Sequence, residues 1–314
     1  MKTALALVLF LVVGLIGSRG LVSRVRARLP VAILFLTGIE FFLLGVLLGP
    51  GVLDLISAEV LYDLRPIVYL ALGWAGLLFG IQLSWQHIRR LSRGIFELLF
   101  LDGVLTGTGF FVVFSLFLAG LFPAAGAASV VFGAVVMAVT GAISSPTIVT
   151  VLSHRLPSRG RFTSMIRIAT SLSSVLPLLF FGFVFTIINP GVLPVWGISS
   201  GFAWWVFANV FAAVMGLVFV LLTRQRATRD ERLLIILGMV MLVGGLCYFL
   251  RLSALYTAMI MGIVVGNLSS KRVQIFEQLM EMERTIYVAL LVFLGAMVSF
   301  SAPHLLLLLW CKKI

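Results

Sequence analysis

The sequence predicts an all-α polytopic membrane protein with about 10 transmembrane helices. Three observations predict it. Of the 314 residues, 61% are hydrophobic and 11% charged, and the mean hydropathy is +1.20, outside the range of soluble domains. Apolar runs able to cross a hydrocarbon core of about 30 Å recur along the whole chain. Basic residues collect in alternate loops between those runs.

The first span is 3–18. Only Lys2 precedes it and arginines follow it, the reverse of a secretory signal's charge order, so it reads as a retained span. Spans two to five lie near 31–49, 66–85, 95–119 and 128–152. Spans six to eight lie near 165–188, 202–222 and 232–250. The ninth, 254–268, is short, and the tenth is 285–301. The apolar stub 305–311 is too short to cross. Residues 271–284 set Val273, Phe276, Leu279 and Met280 at helical spacing among polar residues. They read as an amphipathic helix on the membrane surface or as a solvated linker helix.

Arg19, Arg24, Arg26 and Arg28 follow span one, and Arg89, Arg90 and Arg93 follow span three. Arg155, Arg159, Arg161 and Arg167 follow span five, and Arg224, Arg226, Arg229 and Arg232 follow span seven. Lys271, Arg272 and Arg284 follow span nine. The opposite loops hold only Arg65 and Arg251. By the positive-inside rule the arginine-rich loops are cytoplasmic and the N-terminus lies outside the cell (inner) membrane. The formal charge of +12 is then a topology signal, and nucleic acid is not an expected partner. Cys247 and Cys311 give neither a disulfide framework nor zinc spacing. No phosphate loop, HExxH or nucleophile elbow stands where it could act, so no enzyme activity and no cofactor are expected. His87, His154 and His304 sit at span ends, where solvated loop histidines are the ordinary reading. Trp196, Trp204 and Trp205 flank the outer end of span seven and fit an aromatic belt.

Span five is broken. Gly141, Ser144, Ser145, Pro146 and Thr147 interrupt its apolar run near the middle. Unpaired backbone groups in hydrocarbon cost several kcal/mol each, so such a break belongs against a protein-buried cavity, often an ion or solute site. The hydroxyls of Thr140, Ser144, Ser145, Thr147, Ser171, Ser173 and Ser174 are candidate ligands for a dehydrated cation. Close helix packing is the other use of such residues. Pro177, four residues after Ser173, frees that residue's carbonyl and predicts a local opening of span six.

Two segments resemble each other. GVLLGP at 45–50 precedes IVYLALGWAGLLFG at 67–80, and GIVVGN at 262–267 precedes IYVALLVFLG at 286–295. Loop charge gives the two copies opposite orientation, an inverted-topology repeat. The chain then reads as one transmembrane domain, 1–314. The first repeat is about 31–189, a linker span lies at about 200–222, another span at 232–250, and an incomplete second repeat at about 254–314. The inverted counterpart of the broken helix is not within the second copy.

With IEFFLLGVLLGPGVLDLI, LALGWAGLLFGIQLSWQHIRR, VTGAISSPTIVTVLSHRLPSRG and LYTAMIMGIVVGNLSS in this order, the chain resembles the cation:proton antiporter superfamily, the sodium/proton and potassium/proton exchangers, over about residues 31 to 300. The resemblance implies a homodimer with a scaffold and a moving core, span five as one of two crossing unwound helices, and exchange of sodium or potassium for protons by alternating access. The chain departs from the family at span six, where Ser173 and Ser174 stand in place of the carboxylate. A serine hydroxyl ligates a cation weakly and does not titrate near neutral pH.

An ionisable group inside a span is a functional candidate, because burying it is costly. Glu40 falls near the middle of span two, where a hydrogen-bonded structural carboxyl is the alternative. Glu97 lies near the cytoplasmic end of span four, within reach of headgroups or of Arg93 one turn away. Asp102, two turns into span four and followed by Gly103, Gly107 and Gly109, is the best placed to carry a proton. Two functions follow: a monovalent cation:proton exchanger, or a truncated, split or degenerate homologue serving as a non-transporting membrane subunit.

Overall fold

The computed structural model describes residues 38–85, 93–122, 126–143, 161–188, 201–224 and 228–298, and every regular element among them is an α-helix. In chain order these are α1 (Ile39–Leu48), α2 (Ala58–Asp63), α3 (Arg65–Gln82), α4 (Arg93–Leu121), α5 (Ala127–Ala142), α6 (Arg161–Ile188), α7 (Gly201–Arg224), α8 (Arg229–Leu250), α9 (Ala254–Leu268) and α10 (Arg272–Ala296). Among the described residues four stretches are long and apolar enough to cross a membrane: Arg65–Gln82, Phe100–Leu121, Gly201–Arg224 and Arg229–Leu250. Span one, at 3–18, and the stub at 305–311 lie outside the described residues.

Helix ends follow local chemistry. α8 starts on a capping box: the Thr228 hydroxyl accepts from Glu231 N–H, and the Glu231 carboxylate accepts from Thr228 N–H at 2.8 Å. It stops where Arg251 turns left-handed (φ 56°) and Leu252 N–H donates to the Cys247 carbonyl at 2.9 Å. The Ser253 side chain then caps α9 by accepting from Tyr256 N–H.

Two sequence expectations shift here. Gly38 adopts a left-handed backbone (φ 76°), so α1 begins at Ile39. Glu40 therefore stands in the first turn of this helix, where the helix dipole favours a carboxylate; residues 31–37 of span two lie outside the described residues. Residues 271–284 do not form a helix of their own, because α10 runs unbroken from Arg272 to Ala296. Its buried residues include Ile275, Gln278 and Leu279, while Val273 and Met280 of the expected stripe are exposed.

The described chain forms two compact units, and the division falls within α3 and α10. The first holds residues 38–74 and 277–298. Its core joins Phe41 of α1, Ile56, Val60 and Leu61 around α2, and Val288, Val292, Phe293 and Ala296 of α10. α1 and α10 run parallel and nearly touch. A methyl group at Gly45 would lie 2.1 Å from the Val292 carbonyl oxygen, one at Gly49 2.6 Å from that of Ala296, and one at Gly295 2.1 Å from that of Phe42. Only glycine permits such an approach.

The second unit covers residues 75–276. α9 lies parallel to the end of α3 in the same manner. A methyl group at Gly262 would lie 2.6 Å from the Leu77 carbonyl oxygen, one at Gly266 2.8 Å from that of Ile81, and one at Gly80 2.1 Å from that of Met259. α4 and α5 form an antiparallel hairpin, with the Phe110 ring against Gly141 and the Leu118 side chain against Gly133. α6 packs on α4, α5, α7 and α9, with Val175, Leu178 and Leu179 against Leu83, Met259 and Ile263.

Candidate functional site

α5 ends at Ala142, and Ile143 is already extended (φ −71°, ψ 116°). The apolar run thus leaves the helix one residue after Gly141, and the last-turn carbonyls of α5 have no partner within the helix. Ser144, Ser145, Pro146 and Thr147 lie outside the described residues. Thr140 is exposed, and its hydroxyl donates to the Val136 carbonyl at 2.7 Å. It keeps lone pairs for a ligand but has no proton left to give.

Ser173 is buried beside Val175, which is 1% exposed. The opening expected at Pro177 is absent, because α6 stays helical from Arg161 to Ile188 with Pro177 inside it. Proline removes one hydrogen bond from the ladder. The packing of Val175, Leu178 and Leu179 against Leu83 and Met259 holds the helix across that gap. The side chains of Ser171 and Ser174 lie outside the described set.

Asp102 is exposed on α4 and accepts from the Thr106 hydroxyl at 3.4 Å, a weak bond. It is two turns into the helix but only the third residue of the apolar stretch Phe100–Leu121. Among the described residues, Asp102, Thr140 and Ser173 share no hydrogen bond. Glu97 is exposed on the same helix.

Glu40 belongs to a different group. It and Glu283 both act electrostatically on Tyr287 of α10. Burial pushes the Glu283 carboxyl above its usual range. Sequence reading did not single out Glu283. The available signal was its i, i+4 register with Tyr287.

Two polar junctions between helices also went unread. The Tyr256 hydroxyl of α9 accepts from Trp205 Nε1 of α7 at 2.9 Å and donates to Asn209 Oδ1 at 3.2 Å. Trp204 is 0% exposed. Trp204 is thus covered by its helix neighbours, while Trp205 is half-buried at its bond to Tyr256; Trp196 lies outside the described residues. Asn267 clamps the end of α3: its Oδ1 accepts from Trp85 N–H at 2.7 Å, and its Nδ2 donates to the Leu83 carbonyl at 3.3 Å.

Cys247 is buried; Cys311, His87, His154 and His304 lie outside the described residues. Among the described residues, no three His, Cys, Asp or Glu side chains form a group able to hold a metal ion. No protein-family model matches the chain, and no curated protein matches it.

Proposed function

We propose that this chain is a secondary transporter of the cation:proton antiporter kind. It exchanges sodium or potassium for protons by alternating access, in the inner membrane, as a homodimer with its N-terminus outside. The observation that carries the reading is the match between its two glycine-packed helix pairs. Gly45 meets Val292 as Gly262 meets Leu77, Gly49 meets Ala296 as Gly266 meets Ile81, and Gly295 meets Phe42 as Gly80 meets Met259. These are equivalent positions of the two sequence copies, so each copy's first helix packs on the other copy's second. Both pairs are parallel. Where successive spans alternate in direction, a parallel exchange of partners supports copies of opposite orientation, the architecture of many transporters. The end of α5 at Ala142, inside an apolar run, leaves last-turn carbonyls without partners within the helix, which supports a site there.

The cation site of this reading uses Thr140, Ser144, Ser145, Thr147, Ser173 and Ser174, and Asp102 carries the proton. The test is dissipation of an imposed pH gradient in vesicles on adding sodium or potassium. A gradient that neither ion collapses rejects exchange. A second reading, a non-transporting membrane subunit, is favoured by one observation: the only carboxylate on α4 within its apolar stretch, Asp102, is exposed and, among the described residues, shares no hydrogen bond with Thr140 or Ser173. Purified chain without flux, but retained by a partner in the membrane, supports that second reading.

A further inference from the structure

Arg232 lies in the first turn of α8, at the level where that helix enters its apolar stretch. Its Nη1 donates to the Gln274 side-chain carbonyl of α10. Its Nε–H is buried and has no hydrogen-bond partner. Among the described residues no carboxylate pairs with this guanidinium. The nearest acid in sequence, Glu231, already accepts from Thr228 N–H in the capping box, and Asp230 is exposed. The buried Nε is closed to a ligand, but the residue is only half-buried, so the Nη donors not used by Gln274 stay open to an anion.

More positive charge surrounds it. Lys271 and Arg272 open α10 just before Gln274, and one Arg272 nitrogen donates to the Gly266 carbonyl at 3.4 Å. Arg229 precedes Arg232 by one helical turn. The Arg232–Gln274 hydrogen bond brings the start of α8 to the start of α10, so these basic residues lie at one place in the unit. The patch lies on the side assigned to the cytoplasm by loop charge, where membranes present anionic headgroups. Topology alone asks only for positive charge. It does not ask for a half-buried guanidinium oriented by a glutamine with Nη donors left open. A planar fork with spare N–H groups suits phosphate oxygens.

We propose that Arg232, oriented by Gln274 and flanked by Lys271 and Arg272, binds the phosphodiester of an anionic phospholipid. The site does not depend on the transport reading.

The experiment uses the full chain in detergent, with thermal midpoint and native mass spectrometry as readouts. Added phosphatidylglycerol, compared with phosphatidylcholine, raises the midpoint of the wild type and leaves a retained lipid. Arg232→Lys keeps the charge and the topology but loses the fork, and weakens phosphatidylglycerol retention on the order of tenfold. Gln274→Ala weakens it too and serves if Arg232→Lys fails to fold, while Arg224→Lys on the exposed end of α7 is a control that leaves retention unchanged. Equal retention by the wild type, Arg232→Lys and Gln274→Ala overturns the site and leaves only a diffuse charge effect. A midpoint rise of the same size with inorganic phosphate overturns the lipid as ligand and assigns a free anion.

Discussion

A methyl group on Gly45 would sit 2.1 Å from the carbonyl oxygen of Val292, closer than any side-chain carbon approaches an oxygen. The backbones of α1 and α10 are therefore in contact without side chains between them. Gly45→Ala must separate them, and overpacking of this kind costs about 1–3 kcal/mol. Gly80→Ala, against the Met259 carbonyl at the same 2.1 Å, is expected to cost about as much. Gly103→Ala, inside α4 with open space around it, is expected to leave stability unchanged or raise it by up to about 1 kcal/mol. Thermal midpoints in one detergent check all three.

Asp102→Asn is expected to abolish cation-dependent proton flux in vesicles while leaving the thermal midpoint unchanged, because the side chain is exposed and makes one weak bond. Normal exchange by this variant would remove Asp102 from the mechanism.

Tyr256→Phe deletes a hydroxyl that accepts from Trp205 and donates to Asn209. Both partners then lose a bond in a partly buried junction, at a cost of about 1–3 kcal/mol. Tryptophan emission should report the change, since the Trp205 indole loses its acceptor. An unchanged spectrum together with an unchanged midpoint would mean that the junction forms only loosely.

Glu283 gives a pH test. Its folded-state carboxyl is raised by burial. A group raised on folding stabilises the fold at low pH, below its unfolded value, and that contribution is lost as pH rises through the folded value. Glu283→Gln should therefore raise the thermal midpoint at about pH 8 and change it little at about pH 4. A larger gain at the acid end would contradict the assignment.

Helix positions were legible because apolar runs of membrane length carry their own boundaries: α4, α6, α7, α8 and α9 start and stop within a few residues of the expected spans. Side-chain direction was less legible. Trp204 looked like an interface residue because periodicity within one helix cannot say whether another helix covers that end. Pro177 suggested an opening because proline's missing donor is local information, whereas the packing that holds α6 straight comes from Leu83 and Met259, distant in sequence. Of the candidate site, the end of α5 was readable from Gly141 and the polar residues after it. The convergence of Glu40, Glu283 and Tyr287 was not, since it depends on α1 lying along α10.

The exchange of glycine partners also sets an order of events. Gly45 is made early in synthesis, but its seat at Val292 is made near the end of the described chain. α1 must therefore wait in the bilayer with a bare glycine face until α10 arrives, and α3 waits likewise for α9. Insertion and assembly become separate stages in time. During that interval the two unfilled backbone seats are the surfaces most exposed to wrong helices.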